Sequence, residues 1–338
     1  MRSLLSLCSL SIATSIACAQ PAPDYGFEWR TIGAPGNAPA VQSPLFPRLT
    51  LPVGQVNYEY RMARTEVTNE QWLEFVVSYS QFHTDFSVLN DMSFTGPDIY
   101  RLGDTPADYG WHVDPGGEPA AARMSWFYAA RYCNWLHNGK VNQPWAFESG
   151  AYTLGGYQQL PDGTWTGQLT RSPGALFWIP GVDEWVKGMY YDPNKHGLGQ
   201  PGYYLYPTSS DELPVGGPPG TPGAQTSAGI WPSNDPWYVP VGSYPHVQSP
   251  WGLLDGSGGE SEYVEAITNR WAKYGSHRRD TLWLVWDRLD YYSGVFPDAP
   301  NAGLRIASAV PSPGGIVAAG LLGLCLLNRR RRHVEVAW

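Results

Sequence analysis

Met62-Ala63-Arg64-Thr65-Glu66-Val67-Thr68-Asn69-Glu70-Gln71-Trp72 reads as a strand that runs straight into a capped helix. Just upstream, Tyr58-Glu59-Tyr60-Arg61-Met62-Ala63 alternates large apolar with polar groups, the pattern of a half-buried strand. Thr68 is a helix N-cap, and Gln71 three residues on completes a capping box. Trp72, Phe75, Val76 and Tyr79 follow at i, i+3, i+4 and i+7, which is one face of a helix.

Two further helices are legible. Ser125 is the N-cap of the first. Trp126, Ala129, Ala130, Cys133 and Leu136 share its apolar face, and Asn138-Gly139 ends it with a left-handed turn. Cys133 therefore points into the core, where an apolar setting leaves a thiol inert. The other helix follows a short strand, Phe177-Trp178-Ile179-Pro180. Gly181 is its N-cap, and Val182, Trp185, Val186 and Met189 lie on one face. Asp183 and Glu184 read as structural acids that favour the positive end of the helix dipole. Residues 196–240 are dense in Gly and Pro and read as surface loop. The last strand is expected over Gly303-Leu304-Arg305-Ile306-Ala307.

Composition agrees with a loop-rich chain pinned by aromatic side chains: 338 residues carry 38 Gly, 31 Pro, 16 Trp and 21 Tyr, and only 15% are charged. The net charge is -8, and since Arg2 and the four arginines at 329–332 lie in the two ends, the body is more acidic still. Such a body argues against nucleic-acid binding, which needs cations for phosphate. Of the cysteines Cys8, Cys18, Cys133 and Cys325, only Cys133 lies between the two ends. That region can form neither an internal disulfide nor a two-thiolate metal site.

Five segments together resemble the formylglycine-generating enzyme (sulfatase-modifying factor) family. They are Met62 to Trp72, quoted above; Met124-Ser125-Trp126-Phe127-Tyr128-Ala129-Ala130-Arg131-Tyr132-Cys133-Asn134-Trp135-Leu136; Ile179-Pro180-Gly181-Val182-Asp183-Glu184-Trp185; Ser249-Pro250-Trp251-Gly252-Leu253-Leu254-Asp255; and Gly303-Leu304-Arg305-Ile306-Ala307. They occur in the family's order across residues 27–308. The resemblance implies an α+β chain with the irregular, loop-rich, single-domain fold shared with C-type lectins.

Departures from the family pattern bear on function. Active members carry two cysteines that bind copper(I), and a soft metal of that kind needs thiolates. Leu284 and Leu289 stand about where the pair would fall, so no copper is expected and no catalytic residue is assigned. The family binds calcium through the Asn and Glu of a turn that corresponds here to Gly258-Gly259-Glu260-Ser261-Glu262-Tyr263. Gly259 replaces the Asn and Glu262 keeps the acid. Asp255, Glu260 and Glu262 are the candidate calcium ligands, since calcium takes hard oxygen donors; a solvated acidic turn is the simpler alternative. Trp231, Trp237, Tyr238 and Trp251 are candidates for a glycan- or protein-binding surface, with loop-pinning core as the alternative. The seven histidines form no H-x-x-x-H or H-E-x-x-H pair. A two-His, one-carboxylate iron site built from distant residues stays open.

Both ends suggest export. Residues 1–19 have a basic start, an apolar stretch and Ala17-Cys18-Ala19 as a cleavage site, the form of a signal peptide. A lipoprotein with acylated Cys18 is the alternative. Near the C-terminus, Val310-Pro311-Ser312-Pro313, an apolar run over 314–327 and four arginines at 329–332 resemble a PEP-CTERM sorting signal over residues 310–332, with Ser312 in place of its Glu. The resemblance implies an exosortase-like transpeptidase as partner; a plain membrane anchor is the alternative. The expectation is an exported, non-catalytic binding or structural protein of the cell surface or extracellular matrix. An oxidoreductase of the formylglycine-generating or non-haem iron type, acting on an exported substrate, is the alternative.

Overall fold

The strand that opens the analysis lies between two others, and that decides its burial. In chain order the elements are β1 (Trp29–Ile32), β2 (Tyr60–Ala63), α1 (Asn69–Ser80), α2 (Phe86–Leu89), α3 (Met92–Thr95), β3 (Ile99–Leu102), β4 (Gly110–Val113), α4 (Trp126–His137), α5 (Trp145–Glu148), β5 (Phe177–Trp178), α6 (Val182–Tyr190), β6 (Tyr191–Asp192), β7 (Gly202–Tyr203), β8 (Glu262–Ile267), β9 (Arg270–Tyr274), β10 (Ser293–Gly294) and β11 (Ala307–Ala309). The main sheet runs β1-β2-β11-β5 and is antiparallel throughout. All four residues of β2 are buried, where alternation predicted one exposed side. Tyr58 and Glu59, expected within it, are exposed and lie before it.

This computed structural model describes residues 22–105, 108–162, 164–168, 170–230, 238–267, 270–275, 284–294 and 296–311. Ala22–Val310 form one compact unit, an α+β arrangement of short antiparallel strands, three longer helices and much loop. Among the described residues no helix is long and apolar enough to cross a membrane. The leader and the apolar C-terminal run lie outside the described residues, as do Trp231 and Trp237.

The helix starts follow from local chemistry. Thr68 Oγ1 accepts from Gln71 N at 3.2 Å, and Gln71 Oε1 accepts from Thr68 N at 3.0 Å, closing the capping box of α1. Ser125 Oγ accepts from Tyr128 N at the start of α4. At the far end Gly139 takes φ +74, and Lys140 N donates to Trp135 O, satisfying a carbonyl the helix leaves unpaired. The faces read from the sequence meet: Trp72 and Phe75 of α1 lie 5.2 and 5.6 Å from Tyr132 of α4. Buried indoles find acceptors, as a polar N–H in a core requires. Trp72 Nε1 donates to Phe94 O, and Trp126 Nε1 donates to Val264 O.

The C-terminal strand departs from expectation. It spans Ala307–Ala309 and pairs β2 with β5. Gly303 to Ile306 instead run as an extended tie, with Gly303 bridged to Glu262 and Arg305 turned wholly inward. A buried guanidinium takes backbone carbonyls as its partners, and those carbonyls are then lost to a regular ladder. The Gly- and Pro-rich stretch also holds more order than expected, since β7 pairs with β6 inside it.

Cys133 is fully buried, and burial pushes its thiol well above the usual range. With Cys8, Cys18 and Cys325 changed to Ser, an aromatic disulfide reagent should therefore leave the native protein unlabelled and titrate one thiol per chain only after denaturation. Labelling of Cys133 at the rate of a free thiol would contradict this packing.

Candidate ligand-binding cleft

Two acidic clusters flank β8, and they differ in what their oxygens face. In the first, Glu262 and Arg305 form an ion pair with side chains 1% and 0% exposed. Arg305 Nε donates to both carboxylate oxygens at 3.1 and 2.9 Å, and Nη2 donates to Oε1 at 2.6 Å. Trp185 Nε1 of α6 adds a donor to Glu262 Oε2 at 2.6 Å. Glu260 is clasped by Arg123, whose Nε and Nη2 lie 3.2 and 3.0 Å from its two oxygens. Asp255, at φ +56, accepts from Gly242 N at 2.5 Å. Burial pushes its carboxyl up to about 6.

These donors do not fit a calcium shell. Calcium needs oxygens free to converge on one point, and the carboxylates of Glu260 and Glu262 converge on two different guanidinium groups. Among the described residues no three His, Cys, Asp or Glu side chains are grouped to hold a metal. Glu66, absent from the sequence expectation, completes the cluster. Its Oε1 accepts from Glu260 N at 2.8 Å, and among the described residues its buried Oε2 has no hydrogen-bond partner. Burial, together with the charges of Glu262 and Asp255, pushes Glu66 well above the carboxylate range. Gly259 makes room for it: a Cβ there would stand 2.6 Å from Glu66 Oε2. The glycine at position 259 thus accommodates a buried carboxyl.

The second cluster opens onto a cleft of about 630 Å³. Its wall is the segment from Arg48 to Tyr58, its floor the start of α6 with Arg171 and Glu265, and its far side Tyr274 and Tyr292. The wall is fixed by a small network. Gly54 N donates to Asp183 Oδ1 at 2.7 Å, and Asn37 Nδ2 and Tyr203 Oη both donate to Gly54 O. Gly54 sits at φ +88 with Tyr203 so close that a Cβ would meet it at 2.8 Å.

Glu184 anchors the floor. Its oxygens accept from both terminal nitrogens of Arg171 at 3.1 and 3.0 Å, from Tyr58 Oη at 2.9 Å and from Gly181 N at 2.7 Å. Arg171 stacks 4.1 Å over the Trp178 ring. Burial, with Glu184 beside it, pushes the Tyr58 hydroxyl up to about 12. Glu265 is 5% exposed. Its Oε1 accepts from Tyr152 Oη at 3.0 Å and Arg171 N at 2.7 Å. Burial pushes this carboxyl up to about 7, opposed by Arg171 and reinforced by Glu184.

The aromatic candidates lie elsewhere. Tyr238 Oη donates to Asp114 Oδ2 at 2.9 Å, and Trp251 packs against the main core beside Gly33. Neither lines the cleft. Trp231 and Trp237 fall outside the described residues. Leu289, one of the two positions opposite the family's cysteine pair, is fully buried in the core. Asp183 and Glu184 both lie in the first turn of α6 as expected; Glu184 accepts from Gly181 N at its N-cap, Asp183 accepts from Gly54 N, and both line the cleft. Arg171 and Glu265 were missed; a lone acid inside the apolar strand Tyr263-Val264-Glu265-Ala266 was the signal available.

No family model matches the chain, and no curated protein matches it. The chain is similar to solved structures, among them that of PvdO from Pseudomonas aeruginosa. The match is 11% identical and covers 84% of this chain and 92% of that one, with a TM-score of 0.41.

Two outcomes follow from these clusters. Arg305→Met should lower unfolding stability by about 3–5 kcal/mol in urea, because it strands a buried carboxylate, while Arg305→Met with Glu262→Leu should cost much less. Asp255 and Glu265 hold protons in the folded protein at pH values where the unfolded chain has lost them. Both groups therefore make stability fall as pH rises from about 4 to about 7. Asp255→Asn should flatten the lower part of that slope in thermal melts.

Proposed function

We propose that this chain is an exported, non-catalytic binding protein built on a formylglycine-generating-enzyme-like, C-type-lectin-like scaffold, with its ligand in the cleft floored by Arg171, Glu184 and Glu265. The cleft carries the reading. It joins an apolar wall to a few fixed polar groups, the usual make-up of a small-ligand site. Five family-like segments in order support the scaffold. The missing thiolate pair supports the non-catalytic part, since the buried Cys133 is the one cysteine between residues 20 and 308. The leader and sorting tail support export and cell-surface placement, with an exosortase-like transpeptidase as the partner at the C-terminus.

Leu51 offers a clean test, because it lines the cleft yet is 54% exposed, so a change there spares the core. Arrays of glycans and short peptides probed with the purified chain should reveal retained ligands. Leu51→Glu should weaken that retention about tenfold or more, about 1.4 kcal/mol. Retention indifferent to Leu51→Glu would put the site elsewhere. Near-stoichiometric iron or copper with oxygen uptake would overturn the non-catalytic reading in favour of an oxidoreductase.

A further inference from the structure

The charges around the cleft do not cancel, and the remainder identifies a class of ligand. Arg171 and Glu184 close on each other through two hydrogen bonds. Asp290 is closed by Arg288, whose Nε and Nη2 reach its two oxygens at 2.8 and 3.1 Å. Asp183 gives one oxygen to Gly54 N. Arg48 is the other cation of the lining, and its guanidinium lies 5.5 Å over the Tyr291 ring. Asp183 and Glu265 are therefore left facing a single arginine.

Glu265 is the more telling of the two. Its Oε1 is taken by Tyr152 and by Arg171 N. Among the described residues no hydrogen bond reaches Oε2. The nearest cation is Arg171 Nη1 at 3.7 Å, which is already committed to Glu184. A nine-tenths buried carboxylate thus presents one acceptor oxygen at the bottom of an open cavity. Such an oxygen calls for an N–H donor that brings charge, because a buried charge is stable only when paired. An anionic ligand would meet repulsion there.

We propose that the cleft binds an organic cation, an ammonium or guanidinium group on an apolar body, with the Glu265 carboxylate as counter-ion. This rests on the cleft being the ligand site. Tyr58, Tyr274 and Tyr292 border the same space and add aromatic rings, which attract weakly hydrated cations. Leu49, Leu51, Pro52 and Val53 form the apolar wall that holds the rest of the molecule. The carboxyl without ligand has a raised proton affinity, so cation binding drives off its proton. The titratable groups around Glu265 are Arg171 and Glu184 on the cleft side and Tyr152, Tyr157 and Cys133 on the core side. The tyrosines and the cysteine are all pushed upward, so none of them titrates near neutrality.

Benzamidine, benzamide and benzoate share one ring and differ in charge, so titration calorimetry of the full chain with the three isolates the charge. Benzamidine should bind at least about tenfold more tightly than benzamide, with benzoate weakest. Its affinity should rise between about pH 6 and pH 8 as Glu265 ionises, and Glu265→Gln should abolish both the preference and the pH dependence. Asp183→Asn should keep the pH dependence, which separates the two acids. Equal binding of benzamide, or unchanged benzamidine binding in Glu265→Gln, overturns the proposal. Neutral or acidic array ligands that still depend on Leu51 would leave the cleft as the binding site and refute only its cation preference. Absence of any ligand of any charge refutes both.

Discussion

The guanidinium of Arg305 draws together segments that are far apart in the chain. It donates to Glu262 on β8, to Ala63 and Arg64 at the end of β2, and to Leu254 in the turn that precedes β8. Glu262 in turn holds Trp185 of α6. The ion pair therefore joins the C-terminal tie, the end of β2 and a helix. In a dry interior such a pair gains from low dielectric only if every donor is satisfied, and here the backbone carbonyls complete the set. Four of the five family-like segments meet at this one group. The remaining one, α4, joins through Trp126 Nε1 on Val264 O, two residues along the same strand from Glu262.

This arrangement also sets the cleft. Trp185 ties α6 to β8, and Asp183 and Glu184 lie in the first turn of that helix. Glu265 stands three residues beyond Glu262, where the pairing of β8 with β9 shifts register between Val264 and Ile267, and it lines the cleft. One acid of β8 thus faces the buried guanidinium and the other faces the cavity. Their chemistry differs for the same reason. Glu262 is paired at full contact, whereas Glu265 has a distant and already engaged arginine, so burial dominates and its carboxyl holds its proton toward neutrality.

The acidic turn carries its charge balance in side chains. Arg123 and Arg305 supply positive charge to Glu260 and Glu262, and Gly259 leaves space for the carboxyl of Glu66. The segment resembles a cation-binding turn in sequence because it is rich in acids and glycine. Its three-dimensional neighbours are donors, which a reading of residue types along one stretch does not reveal.

The sequence by itself determined the elements whose cause is local. The capping box at Thr68, the aromatic faces of α1 and α4, the Gly139 ending and the burial of Cys133 all follow from spacings within a dozen residues, and helix geometry converts those spacings into one face. Strand boundaries were less legible. β2 is buried on every residue because β11, some 240 positions away, lies beside it, and local alternation carries no trace of that neighbour. Which acids are neutralised and where the cleft opens were decided only by tertiary structure. Glu260 meets Arg123 across 137 residues, Glu262 meets Arg305 across 43, and the wall near Gly54 meets Asp183 across 129. Charge pairing and cavity shape depend on distance in space, and distance in space between such segments is set by the packed core as a whole.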